Sequence, residues 1–261
     1  MGGKPGETPS QRGLDKQAQT AAKASVKDTA KAVKKPTVTE DTATFDRRYN
    51  DIARYIAGMK HVAGSPYEAL EKDTVWIRVS KDFDAAWYKL DTRRLKLMTD
   101  WANTELAQEH KQNLDIFYPL SGPDILHVNA FFPGAKRYHL YALERAGALP
   151  DLKTMKPKAI GTYMNDVHAS LSDVFSKSYF ITRKMLTDLQ RENVNGTLPL
   201  ICIFLVRTEH TIVNIRYYHL NDDGTDTPLN KDSAAVHTND FVKVFFKVQN
   251  DTNLQVLSYM K

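Results

Sequence analysis

Tyr118, Ser121, Gly122, Asp124, His127 and Glu144 fall within one stretch, "LDIFYPLSGPDILHVNAFFPGAKRYHLYALERAG", residues 114–147. A glycine lets a ligand come close to the backbone, and a hydroxyl and a carboxylate beside it can hold hydrogen bonds. An acidic residue about 20 positions further on can accept from ribose hydroxyls. Ser121, Asp124 and His127 are also the letters of a hydrolytic triad. However, Ser121 stands between Leu120 and Gly122 rather than in a Gly-x-Ser-x-Gly elbow. Asp124 and His127 would lie one helical turn apart, so these residues read as turn and cap instead. Metal chemistry has less support. His127, His139, His210, His219 and His237 form no i, i+4 pair, and Cys202 is the single cysteine. No P-loop, zincin or kinase signature occurs.

The elements that must position these groups can be read on either side of them. "DIFYPL" is a short apolar strand pattern that ends in breakers. Pro123 suits the first turn of a helix, and Asp124 then lies at the positive helix end. "ILHVNAFF" continues at helical spacing, Pro133-Gly134 stops it, and "YHLYAL" runs as a second strand to Glu144. A strand–helix–strand crossover of this kind is right-handed and makes the strands parallel. The Ser121 turn and Glu144 would then share the carboxyl rim of a sheet, where open α/β sheets bind ligands.

This unit resembles the Rossmann-like class, in particular class I S-adenosylmethionine-dependent methyltransferases, whose first strand ends in a Gly-rich turn and whose second ends in an acidic residue. The resemblance implies a cleft lined by Tyr118, Ser121, Gly122, Asp124 and Glu144, with S-adenosylmethionine or a related nucleoside as its ligand. Gly122 would allow close approach, Ser121 and Asp124 would hydrogen-bond, and Glu144 would hold a sugar hydroxyl. "YPLSGPD" carries one glycine where those enzymes usually have two or three, and Pro123 removes a backbone donor. A second resemblance covers more of the chain. "NDIARYIAGM", the Trp-bearing segment after it, "FYPLSGPD" and "FFPGAKRYHLYALE", in that order, are similar to a family of uncharacterised bacterial proteins, many of them exported. It implies an envelope or secreted location and transfers no catalytic residue.

Charge separates the chain into two parts. The net charge is +5, and residues 1–36 hold eight Lys and Arg against three Asp and Glu, which is the entire excess. The rest is balanced, so it exerts no net attraction on a phosphate backbone and only a local basic patch could do so. No nucleic-acid partner is expected. Residues 1–43 contain no aromatic side chain, which predicts a disordered Ala/Lys/Thr-rich tail or tether. "MGGKPGE" reads like the start of a mature lipoprotein whose lipidated Cys has become Met, which predicts a lipid anchor in the natural precursor; the alternative is a cytoplasmic protein with a floppy start. No apolar run approaches the length of a membrane span. The strand pattern stops abruptly at Lys261, which reads as a truncation.

Elsewhere, "TFDRRYNDIARYIAGMK" predicts an amphipathic helix, and "SPYEALEK" a short one with Ser65 as its cap. "KDFDAAWYKLDTRRLKLMTDWANTELAQEH" predicts one long helix from about Asp82, or two joined near Asp91, with Trp87 and Trp101 on the core stripe. "KAIGTYMNDVHASLSDVFSKSYFITRKMLTDLQRE" predicts one or two helices with Val167, Leu171, Val174 and Phe175 on one face. "LPLICIFLVR" reads as a central strand, "TIVNIRYYHLN" as its antiparallel neighbour, "DDGTDTPLNKD" as a loop, and "FVKVFFKVQNDTNLQVLSYMK" as two strands around an Asn-Asp turn. The aromatics Tyr217, Tyr218, Phe245, Phe246 and Tyr259 should divide between the two faces of the sheet.

The whole predicts a single α/β domain at 44–261, Rossmann-like, with a largely parallel sheet, an N-terminal helical layer and antiparallel strands near the C-terminus. Two functions are expected of it. One is a non-catalytic binding or structural role in a bacterial envelope or secreted protein. The other is an S-adenosylmethionine- or nucleoside-binding, methyltransferase-like enzyme.

Overall fold

The computed structural model describes residues 42–119, 122–177, 194–229 and 239–261, all within one unit, Val38–Lys261. The expectations for the tail and for Ser121 lie outside these residues, apart from Thr42 and Ala43. Helix α1, Arg47–Ile56, starts where the Asp46 carboxylate accepts from the Arg48 N–H, and it buries Ile52, Ala53, Tyr55 and Ile56. A 3-10 turn, Glu68–Lys72, follows the Ser65 bend, where the Ser65 hydroxyl accepts from the Tyr67 N–H.

Helix α2, Thr74–Leu90, begins earlier than Asp82 because Asp73 caps it, accepting from the Val75 and Trp76 N–H groups. It runs through a π-helical turn, Asp91–Leu95, into α3, Lys96–Glu105, so the junction falls at Asp91 as expected. Of the two expected core tryptophans, Trp87 is half-buried against Phe204, while Trp101 is 52% exposed. Trp76, near the start of α2, is the buried one and donates its indole N–H to the Tyr55 carbonyl.

Strand β1, Asp115–Tyr118, helix α4, Ile125–Phe131, and strand β2, Arg137–Tyr141, form the predicted crossover, and β1 and β2 pair side by side in parallel. Helices α5, Pro157–Ser170, and α6, Ser172–Lys177, bury Ile160, Tyr163, Val167, Leu171 and Val174, with Phe175 partly buried.

"LPLICIFLVR" is not a strand but helix α7, Leu198–Arg207, with every residue from Leu198 to Val206 buried. A segment buried all round has no polar face, so periodicity cannot separate helix from strand. The helix satisfies its own backbone inside the core, whereas a central strand there would need partners on both sides. Strands β3, His210–Leu220, β4, Asp226–Leu229, β5, Asp240–Val248, and β6, Gln255–Met260, complete the sheet. β4 occupies part of the expected loop. β5 and β6 form the predicted pair around an Asn250-Asp251 turn, with Asn250 at φ 66°.

The strand order is β1-β2-β6-β5-β3-β4. β1, β2 and β6 are mutually parallel, while β6-β5, β5-β3 and β3-β4 are antiparallel. The sheet is therefore mixed rather than largely parallel. Helices α1, α2, α4, α5, α6 and α7 join one face of it in a single apolar cluster that includes Tyr138, Leu140, Tyr217, Phe246 and Tyr259. The other face has its own small cluster, Val213, Phe245 and Val256 with Ala43 and Leu254. Thr42 and Thr44 lie along this side, their carbonyls accepting from Arg216 and Asn214. A doubly wound fold carries helices on both faces, whereas the described helices that enter the main core here all pack against one.

Candidate functional site

The crossover sets Tyr118, Asp124 and His127 against one another after β1. Asp124 caps α4. One carboxylate oxygen accepts from the His127 N–H at 3.3 Å and lies 2.6 Å from His127 Nδ1, and the other accepts from the Tyr118 hydroxyl at 3.2 Å. Burial, together with the charge and hydrogen bond of Asp124, pushes the Tyr118 phenol up to about 12. Gly122 takes the left-handed conformation at φ 57°.

Glu144 lies beyond the end of β2 and is 5% exposed, so its carboxylate does not stand open on the rim. Its carbonyl accepts from the Tyr259 hydroxyl at 3.1 Å, and its Oε1 has no hydrogen-bond partner among the described residues. The chain around it is closed against the start of α7. The Arg145 carbonyl accepts from the Thr197 N–H, the Ala146 carbonyl from the Leu198 N–H, and the Asn195 carbonyl from the Ala148 N–H. These bonds, with Pro199 lacking an N–H, leave the head of α7 little to offer an anion.

Fit to S-adenosylmethionine is accordingly poor as the residues stand. Asp124 is engaged on both oxygens, Pro123 supplies no donor, and the Glu144 carboxylate is enclosed. No group of three His, Cys, Asp or Glu side chains among the described residues could hold a metal ion.

The same post-β2 loop that carries Glu144 forms one wall of a cavity of about 220 Å³. Ile52 of α1, Leu149 of the loop, Leu198 of α7, and Ile215 and Tyr217 of β3 supply its apolar surface. The polar groups are Arg48, Tyr49, Tyr67, Asp151 and Lys153. Arg48 lies over the Tyr49 ring and donates to its hydroxyl at 2.9 Å, which holds the guanidinium at the cavity edge. Asp151 accepts from the Lys153 N–H at 3.2 Å. Burial first, and then the charges of Asp151 and Asp51, hold the Tyr67 phenol above its usual range, so it remains a hydrogen-bond donor.

None of these residues was expected from the sequence to line a site; Tyr217 was read only as one of the sheet aromatics. They come from α1, the Ser65 bend, the post-β2 loop, α7 and β3, and no local spacing joins them.

Fold and cavity together define a two-layer α/β domain with a mixed six-stranded sheet and a small, partly polar cavity on its helical side. The chain matches no family model, no curated protein and no solved structure.

Proposed function

We propose that this protein is a non-catalytic binding protein of the bacterial envelope. It takes a small molecule with an apolar body and one acidic group into the cavity between α1, the post-β2 loop and β3. The observation that carries this reading is that Arg48, Lys153 and Tyr67 line one cavity together with the apolar Ile52, Leu149, Leu198 and Ile215. Pockets for drug-sized ligands span roughly 300–1,000 Å³, so a cavity of about 220 Å³ takes something smaller. The carboxylates that could have acted on a substrate are engaged or enclosed, which favours binding over catalysis.

Isothermal titration with short straight-chain and aromatic carboxylic acids tests it. Saturable binding is expected, at least tenfold weaker in Lys153→Ala and in Leu149→Trp. Absence of binding, or binding indifferent to both changes, rejects the reading. The envelope location is supported by the solvated composition of residues 1–43 and by the resemblance to exported bacterial proteins. Fractionation of cells expressing the full-length gene tests it, and recovery in the cytosol alone rejects it.

One observation favours the second reading, a Rossmann-like S-adenosylmethionine- or nucleoside-binding enzyme. Glu144 keeps an unpartnered Oε1 at the end of β2, beside a parallel β1-α4-β2 unit with a left-handed Gly122. A ligand would have to displace the post-β2 loop to reach that oxygen. Titration with S-adenosylmethionine and adenosine, with loss of the heat in Glu144→Ala, would support this reading over the first.

A further inference from the structure

The long helix α2-α3 contains a device that a regular helix could not provide. Leu90 and Leu95 are both buried, at 2% and 5% exposure, although they are five residues apart. At 100° per residue an α-helix would place them about 140° apart and would put Arg94, four residues after Leu90, on the buried side. The π-helical turn Asp91–Leu95 widens the helix by one residue. It keeps Leu95 in the core and leaves Arg93 and Arg94 exposed. Such turns recur at functional sites.

Arg93, Arg94 and Lys89 line one wall of a groove of about 650 Å³, within the size range of small-molecule sites. None of the three has a carboxylate at ion-pair distance among the described residues. Among the described residues, Asp82 is the only acidic one in the lining, and it lies 3.6 Å from Arg78. The opposite wall has His168 from α5 and, from α6, Ser172, Ser176 (its hydroxyl donating to the Asp173 carbonyl) and the half-buried ring of Phe175. The balanced charge of the body therefore conceals a local excess of cations around a concave surface. Guanidinium groups suit the geometry of phosphate oxygens, and a Lys beside them adds a further positive charge.

We infer that this groove binds an organic phosphate, its phosphoryl group held by Lys89, Arg93 and Arg94 and its carbon body laid against Leu90 and Phe175. The site is separate from the cavity at Lys153 and does not depend on the function proposed for that cavity.

The test compares the wild-type protein with Arg93→Gln/Arg94→Gln, and with Lys81→Gln/Lys158→Gln as a control of equal charge change outside the groove. All four side chains are exposed, so the fold should persist, and an unchanged thermal midpoint in phosphate-free buffer verifies this. Soluble probes are pyrophosphate, adenosine monophosphate and adenosine. The membrane probe is phosphatidylcholine vesicles with and without phosphatidic acid. Binding of a phosphate-bearing probe that weakens at least tenfold in the arginine variant and less than twofold in the control supports the site. A response to adenosine monophosphate identifies a free phosphate as the source, and a response to phosphatidic acid vesicles alone identifies a lipid headgroup. No binding of any phosphate probe, or equal losses in both variants, overturns the inference. Lys153→Ala should leave this binding unchanged, which separates its outcome from that of the other cavity.

Discussion

Tyr217 and Tyr259 stand on one lateral row of the sheet, joined through Val242 of β5, and both donate their hydroxyls to the same loop. Tyr259 donates to the Glu144 carbonyl at 3.1 Å and Tyr217 to the Gly147 carbonyl at 2.8 Å. The row extends to Leu140 and Tyr118 on one side, and the Tyr118 hydroxyl reaches Asp124. Three tyrosines in register thus tie the sheet to the segments that follow β1 and β2.

Removing a single hydroxyl leaves a buried carbonyl without that donor. Tyr217→Phe and Tyr259→Phe should each lower unfolding free energy by about 1–2 kcal/mol, read from denaturant midpoints. Tyr217 also lines the Lys153 cavity, so Tyr217→Phe should weaken ligand binding there and Tyr259→Phe should not.

Gly147 and Gly196 cross at close quarters with φ of 70° and 82°. A Cβ on Gly147 would lie 1.6 Å from the Asn195 carbonyl oxygen, and one on Gly196 would lie 2.5 Å from that of Ala146. Neither backbone can yield without breaking the closure over α7. Gly147→Ala and Gly196→Ala should each cost at least ~3 kcal/mol, with poor soluble expression as the first sign.

Asp124→Ala removes the cap of α4 and the acceptor for Tyr118. A loss of about 1 kcal/mol from the cap is expected, together with a fall in the Tyr118 phenol from its raised position near 12, visible in an ultraviolet phenolate titration. An unchanged titration would show that burial alone holds the phenol up.

His168 and His210 are both held below the usual imidazole range, chiefly by burial. The unfolded chain therefore binds protons that the folded chain does not, so folding stability increases with pH across this window. Their contribution is complete above the unfolded value near 6.5 and declines as pH falls through the folded values. Denaturant midpoints should drop between about pH 7 and about pH 5, and His168→Gln/His210→Gln should flatten that dependence.

Cys202 lies fully buried in α7, and burial pushes its thiol far up. A disulfide reagent should label it in denaturant and leave it unlabelled in the native protein. The labelling rate then reports opening of the helix from the core.

Local chemistry made much of this fold legible in the sequence. The Ser65-Pro66 bend, Asp124 and the Asn250-Asp251 turn mark element ends because each satisfies backbone groups within a few residues of itself. The parallel β1-α4-β2 unit followed for the same reason, since the turn, helix and strand signals are contiguous and the handedness of the crossover is general. Tertiary structure decided whatever depends on distant partners. "LPLICIFLVR" is helical because the space beside the sheet takes a self-satisfied backbone, and a run apolar on every side carries no period to reveal that. Strand direction across β6, β5 and β3 depends on pairings between segments far apart in the chain. The second strand was expected to run to Glu144 but stops at Tyr141, and Glu144 is held by Tyr259, more than 100 residues away. The Lys153 cavity and the arginine groove depend on packing between elements, and packing distances are set by the whole core.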